Sequence, residues 1–378
     1  MPLGIYVHIP FCAAICNYCN FNRGLFDAEV KDRYLAALRR DIAMHGDGTD
    51  ADTIYFGGGT PSLLDPAEVA AIVTATREGF DVSDEAEVTL EANPETVTPQ
   101  RLEGFRAAGV TRLSVGVQSF RDDELRRLSR LHSASRAAEA FGMARAAGFD
   151  NISLDLMMWL PQQSIADWLE SVEALITLGP EHASLYLLEL YPNAPLREAM
   201  ARGAWSLAPD DDAADMYLEA MARLDRAGYV QYEISNVARS GRESRHNLKY
   251  WTDGEWLGFG CGAHSTRAGV RWKTVSAIED YIAAVDRGQG LEQERRDLTS
   301  QAALEEALIT GLRLAQGIDL HEIRDRYGVD AWAIYGPALT RFREAGLLIY
   351  DERHVRLSRA GMLVANEVMS EFLPPVVD

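Results

Sequence analysis

Three of the four cysteines, Cys12, Cys16 and Cys19, stand in the spacing C-x3-C-x2-C near the N-terminus. The thiolate is the metal-binding form of cysteine. Three thiolates on one short loop can hold three irons of a four-iron, four-sulfur cluster. The fourth iron then lacks a protein ligand and can bind a small molecule, whereas ferredoxin-type clusters are fully Cys-ligated and carry electrons. Other readings stay open on spacing alone. A zinc site would need a fourth ligand, which Cys261 or His264 could supply. A disulfide plus a free thiol, or three inert buried thiols, are the remaining choices.

Other groups suit a ligand beside such a loop. Gly57, Gly58 and Gly59 follow an apolar run, and glycines let a backbone approach a ligand where a side chain would clash. They equally suit a tight turn. Glu91, Gln118 and Asp155 interrupt apolar stretches. A buried carboxylate needs a partner, which ribose hydroxyls or an ammonium could provide, as could ordinary structural hydrogen bonds. Further on lies His246-Asn247-Leu248-Lys249-Tyr250-Trp251. Histidine is a good axial ligand for haem iron, and Trp251 offers a flat apolar wall. His8 and His264 are weaker candidates for that role.

The elements that must position these groups are legible as a rhythm. Strands are expected at Gly4–Ile9, Thr53–Phe56, Ala86–Glu91, Arg112–Val117, Asn151–Leu156 and Ala183–Leu190. Helices with three-to-four apolar spacing are expected at Glu29–Ala43, Pro66–Glu78, Pro99–Ala108, Ser135–Ala147 and Ile165–Leu178. Six β-α units imply an α/β fold with a parallel sheet, either an open TIM-like barrel or a doubly wound sheet. In both, the site lies at the C-terminal strand ends. After residue 235 the rhythm breaks, and 236–275 reads as irregular. From residue 299 the chain turns helical at Gln301–Leu314, Leu320–Tyr327 and Ala331–Ala345. Two β-like pieces, Leu347–Tyr350 and His354–Leu357, follow, then a helix over Arg359–Phe372. This last part is winged-helix-like.

Composition bounds the function. The 378 residues carry 37 basic and 57 acidic side chains, a net charge of −20. That argues against sequence-independent nucleic-acid binding, which rests on Lys and Arg. The winged-helix-like part holds 12 acidic and 8 basic residues over 301–378, the reverse of a DNA reader. No apolar stretch is long enough for a membrane-spanning helix. The first residues carry no signal-peptide pattern. The expected compartment is the cytoplasm, where thiols stay reduced.

The run YVHIPFC-x3-C-x-Y-C-x-F, with FGGGTPS at 56–62, LEANP at 90–94, SVGVQSF at 114–120 and LDL at 154–156, resembles radical SAM proteins (SAM, S-adenosylmethionine) of the coproporphyrinogen-oxidase-like branch. Within that branch the chain is most similar to the HemW-type haem chaperones, whose HNxxYW motif matches 246–251. The resemblance implies an open (β/α)6 TIM-like barrel over 1–235 and a connecting region with the motif over 236–298. It implies a C-terminal HemN-like helical module, winged-helix-like, over 299–378. It assigns the cluster to Cys12, Cys16 and Cys19. It assigns cofactor contacts to Tyr6, Tyr18, Gly58, Gly59, Thr60, Glu91, Gln118, Arg130 and Asp155, and links His246 to haem. It implies haem delivery to an acceptor protein, with a flavodoxin or ferredoxin as reductant. The alternative it leaves is a radical SAM enzyme, either a porphyrin-modifying oxidoreductase or a methyltransferase.

Two departures from the oxidase favour the chaperone. Phe21 stands where the oxidase has a further cysteine, and only five residues precede Tyr6, where the oxidase has a long extension. A third departure concerns the turn after the fifth strand. The family usually has glycine before Leu160-Pro161, and this chain has Trp159. Either Trp159 accepts a glycine-like backbone at a steric cost or the turn is rebuilt.

Overall fold

The computed structural model describes residues 2–373. Its core is a 12-stranded sheet. The strands are β1 (Leu3–Ile9), β2 (Asp50–Gly58), β3 (Asp81–Ala92), β4 (Arg112–Gln118), β5 (Ile152–Met158), β6 (His182–Leu187), β7 (Val230–Glu233), β8 (Asn236–Ala238), β9 (Trp256–Phe259), β10 (His264–Arg267), β11 (Val270–Thr274) and β12 (Glu292–Asp297). Their order across the sheet is β12-β11-β10-β9-β1-β2-β3-β4-β5-β6-β8-β7. The pairs from β9 through β1 to β6 are parallel, and those outside are antiparallel. This is an α/β fold, an open TIM-like barrel followed by a C-terminal helical module.

The helices between these strands are α1 (Ala28–His45), α2 (Pro66–Gly79), α3 (Pro99–Ala107), α4 (Asp122–Arg127), α5 (Ala134–Ala146) and α6 (Ile165–Leu178). Their ends have local causes. The Asp27 carboxylate accepts from Val30 N to open α1. Ser164 and Asp167 form a capping box on α6, and Gly179, left-handed at φ 68°, ends it. Buried residues of α1, α2, α3, α5 and α6, among them Leu38, Ile72, Phe105, Phe141 and Val172, join the strands in one apolar core.

The stretch after residue 235 differs from its expected irregularity. The segment 236–298 adds β8 to β12 to the same sheet, and β9 runs parallel to β1 as a seventh parallel strand. Its four residues, WLGF, are too short to show a period. Gly258 is there for clearance, since a β-carbon would stand 2.3 Å from the His264 carbonyl oxygen. The division expected at 235/236 falls in the turn between β7 and β8. The HNxxYW motif forms α9 (Arg245–Trp251), capped by the Ser244 hydroxyl.

Two more helices, α7 (Pro195–Gly203) and α8 (Asp210–Arg226), lie between β6 and β7. The C-terminal part holds α11 (Ser300–Gly311), α12 (Leu320–Tyr327) and α13 (Ala331–Glu344), following α10 (Ile278–Asp286). A three-stranded sheet of Ile318–Asp319, His354–Leu357 and Leu348–Tyr350 packs with them. The helix expected over 359–372 is broken into Arg359–Met362, Ala365–Met369 and a 3-10 turn, Ser370–Phe372. Met1 and 374–378, the outer ends of the expected domains, lie outside the described residues.

Candidate functional site

Just past β1, Phe11–Cys12 pairs with Gly24–Leu25. This pairing closes the intervening residues into a loop. Cys12, Cys16 and Cys19 all line one cavity of about 540 Å3 at the C-terminal mouth of the barrel. The Cys12 sulfur accepts from the Thr60 hydroxyl at 3.7 Å, and the Cys16 sulfur from Arg130 Nη1 at 3.6 Å. Burial, and then the neighbouring thiols, hold Cys12 and Cys19 above the ordinary thiol pKa. Cys261 does not line the cavity. It is fully buried, with Asn22 Nδ2 3.7 Å from its sulfur, and burial pushes its thiol up to about 11.

No three His, Cys, Asp or Glu side chains among the described residues converge at single-ion distance. A single zinc would need its sulfur ligands about 2.3 Å from one point, a convergence these thiols do not show. The donor set therefore suits a cluster spread over several atoms.

The glycine turn at the end of β2 has a reason within the protein. A β-carbon at Gly57 would stand 3.0 Å from the Tyr6 ring. At Gly58, with φ 115°, it would stand 2.5 Å from the His8 ring, and at Gly59 2.7 Å from the Phe11 carbonyl oxygen. The tight turn alone requires these glycines. Gly58, Gly59 and Thr60 nevertheless line the cavity, as do Tyr18, Glu91, Gln118, Arg130 and Asp155.

Inward positions of adjacent strands bring these groups to one depth. The Tyr55 hydroxyl donates to Glu91 Oε1 at 2.8 Å and Gly58 N to Oε2 at 3.2 Å. Burial nevertheless pushes the Glu91 carboxyl up to about 7. Asp155 accepts from the hydroxyls of Ser114 and Ser153 at 3.2 Å, and burial also holds its carboxyl above the usual range. Arg130 Nη2 donates to Asn93 Oδ1 and to the Gly116 carbonyl, both at 2.7 Å. Its Nε is buried without a partner among the described residues. Gln118 ends β4 with φ 68°. Pre-formed carboxylates, a lining arginine and open volume are what a small zwitterionic ligand requires.

Tyr6 is the exception among the expected contacts. It does not line the cavity. Its hydroxyl pairs with His8 Nδ1 at 3.1 Å, behind the glycine turn.

Sequence reasoning missed Asn93, Ser114, Tyr55 and Tyr186, which also line the cavity. The signal for Asn93 was its place at the end of a strand, just before Pro94. It also missed Arg112, which is 1% exposed inside the barrel with Nε and Nη1 unpartnered among the described residues. The hydroxyl of Thr89, its register partner on β3, is likewise unpartnered among the described residues. An arginine opening a strand reads as a surface residue, so nothing in the sequence marked it.

His246 lies apart from the other expected residues. The structure places it in the barrel interior, outside the cavity lining. Thr53 Oγ1 lies 2.8 Å from its Nδ1 and the Tyr250 hydroxyl 2.9 Å from its Nε2. Its ring stacks on Tyr55 at 5.1 Å. Burial pushes its pKa down to about 3, followed by the charges of Lys249 and Arg112. With no exposure and both nitrogens paired, this imidazole is closed to iron in this conformation.

Trp159 takes the glycine-like backbone, at φ 62°. The turn is kept, and the indole N–H donates to the Ala208 carbonyl at 2.8 Å. Phe21, in place of a cysteine, is 69% exposed beside the cavity mouth. No helix of the described residues is long and apolar enough to cross a membrane.

Comparison with known proteins places this geometry. Residues 6–175 match the Radical SAM superfamily, and residues 298–364 match the HemN C-terminal domain. "Heme chaperone HemW" of Bacillus subtilis is 36% identical over 97% of this chain and 98% of its own. The protein of the same name from Mycobacterium tuberculosis is 37% identical over 98% and 95%. "Radical S-adenosyl methionine domain-containing protein 1, mitochondrial" of Bos taurus is 37% identical over 98% and 87%. The solved structure of coproporphyrinogen III oxidase (HemN) from Escherichia coli superposes with a TM-score of 0.86. It is 24% identical and covers 98% of this chain and 90% of that one. At that identity the likeness shows the fold.

Proposed function

The chain belongs to the radical SAM superfamily and, within it, to the HemW-type group, and from that premise we propose that it binds haem and delivers it to an acceptor protein. In this reading Cys12, Cys16 and Cys19 hold a [4Fe-4S] cluster, and S-adenosylmethionine fills the adjoining cavity. The observation that carries the cofactor reading is the lining of that cavity. Three thiols face Glu91, Gln118, Arg130 and Asp155 across it, and no fourth cysteine or histidine joins them. Such a cluster supplies, when bound, one-electron chemistry and an iron without a protein ligand.

The chain's own residues then have defined tasks. Glu91 and Asp155 present acceptors to an ammonium and to ribose hydroxyls. Arg130 spans Asn93, Gly116 and the Cys16 sulfur, fixing the cysteine loop against β4. Tyr6 supports the glycine turn from behind. Haem is supported by the names of the relatives. His246 reaches iron only if α9 leaves the barrel, so haem binding in the present conformation uses other groups. The electron donor in this reading is a small flavodoxin- or ferredoxin-like protein.

Anaerobic reconstitution followed by haem titration, with 5′-deoxyadenosine measured in the same samples, tests the proposal. Tight haem binding with little 5′-deoxyadenosine supports the chaperone. Multiple turnovers of coproporphyrinogen to protoporphyrinogen would restore the enzyme reading, as would stoichiometric methyl transfer.

A further inference from the structure

The segment from Leu188 to Ala208, which contains α7, crosses beside the cysteine loop. Its start is held where Leu188 N donates to the Met158 carbonyl at 3.1 Å. Its end is held twice: Gln162 N donates to the Ser206 carbonyl at 2.9 Å, and the Trp159 indole donates to the Ala208 carbonyl at 2.8 Å. One turn, after β5, therefore pins both ends of the segment. The middle reaches the site, where Leu196 N donates to the carbonyl of Asn17, between Cys16 and Cys19, at 3.0 Å. A small apolar cluster separate from the main core backs this contact. It joins Met157 of β5, Leu160 of the turn, Leu188 and Leu196 of the segment, and Leu128, with Tyr18 packed against it.

The pinning turn is strained. Trp159 and Gln162 both sit at φ 62°, a region that bulky residues rarely adopt. Such strain persists only where the surroundings over-determine it, and it gathers at functional sites.

We propose that residues 188–208 form a clasp on the Cys16–Cys19 loop and that Trp159 is its positioning residue. The indole fixes the far end of the clasp, and the clasp fixes Asn17 and Tyr18, so the geometry of the two neighbouring thiols depends on a side chain that touches neither. The proposal extends the reading of Cys16 and Cys19 as ligands, but its test uses cluster-free protein. A failure of iron uptake would leave the test intact.

The test is the rate of alkylation by iodoacetamide at each cysteine, read by mass spectrometry under denaturant-free conditions. In Trp159→Gly the rates at Cys16 and Cys19 are expected to rise severalfold, while buried Cys261 keeps its wild-type rate. Trp159→Phe, which keeps a ring and removes only the N–H donor, should show a smaller rise at the same two cysteines. It also carries the test if the glycine variant fails to fold. Unchanged rates at Cys16 and Cys19 would overturn the proposal. So would an equal rise at Cys261, which would mean general loosening.

Discussion

The cysteine loop at the barrel mouth and the HNxxYW helix inside the barrel both read from sequence as iron-binding motifs, and the structure treats them oppositely. At the mouth, three thiols face open volume, and the Thr60 hydroxyl and Arg130 donate to the Cys12 and Cys16 sulfurs only at long range. In the interior, the imidazole of His246 has a partner on each nitrogen and aromatic rings on its faces. A motif supplies residue types, but a ligand site also needs a side chain left incomplete by the protein. Burial makes the contrast sharper, because an unpaired polar group inside a protein is costly. The fold therefore satisfies His246 and leaves the three cysteines lining open volume.

The largest effect should come from breaking the mouth. Cys12→Ser, Cys16→Ser and Cys19→Ser should each nearly abolish iron and sulfide uptake after anaerobic reconstitution, while Cys261→Ser should retain it. Visible absorption and metal analysis check this. Loss of the chromophore in Cys261→Ser would put a fourth cysteine into the site.

The interior should answer differently. His246→Ala removes a fully buried ring and strands Thr53 Oγ1 and the Tyr250 hydroxyl. A cost of about 2–4 kcal/mol in unfolding free energy is expected from a cavity plus two orphaned groups. Urea denaturation measures it, and iron uptake and haem affinity should stay near wild type in the folded protein. A collapse of haem affinity without loss of stability would show that α9 opens, and the contrast between the two regions would fail.

Arg130 lies at the mouth, but its effect should be smaller. Its planar fork bonds Asn93 and Gly116 at once, which an ammonium cannot reproduce. Arg130→Lys should weaken S-adenosylmethionine binding to the reconstituted protein by about 10-fold to 100-fold, or roughly 1.4–2.8 kcal/mol. Equilibrium dialysis measures this. Unchanged affinity would reduce Arg130 to packing.

The two regions also differ in how far the sequence exposes them. The barrel strands alternate with helices of clear period, so β1 to β6 were legible within a few residues, and α6, Ile165–Leu178, to the residue. The C-terminal ends of those strands then placed Glu91, Gln118 and Asp155 at one mouth. The seventh strand was not legible, because four residues with a glycine for clearance carry no pattern. The direction of His246 was not legible either. Helix spacing places Tyr250 within reach of it, yet its other partner, Thr53, lies 193 residues away in sequence. Arg112 was invisible for the same reason, since its surroundings are assembled from strands far apart in the chain.

The smallest effect is a pH dependence that belongs to the interior. The folded chain holds His246 at about 3, and His182 well below its ordinary value, in both cases chiefly by burial. Unfolded, each would titrate near 6.5. As pH falls through 6.5, the unfolded state therefore takes up protons that the folded state refuses, and stability declines. Above 6.5 this loss is absent, and for His246 it stops growing only near pH 3, where the folded ring also protonates. At pH 5.5 the loss for one such histidine is about 1.4 kcal/mol, one pH unit below the unfolded pKa. Glutamine at 246 cannot protonate and can still bond Thr53 and Tyr250. His246→Gln should thus unfold with a shallower acid slope than wild type, by about 1 kcal/mol between pH 7.5 and 5.5, while keeping most of its stability at pH 7.5. Urea midpoints across that range check it. An identical slope in the two proteins would mean that the imidazole is already open to protons, and the contrast with the mouth would weaken.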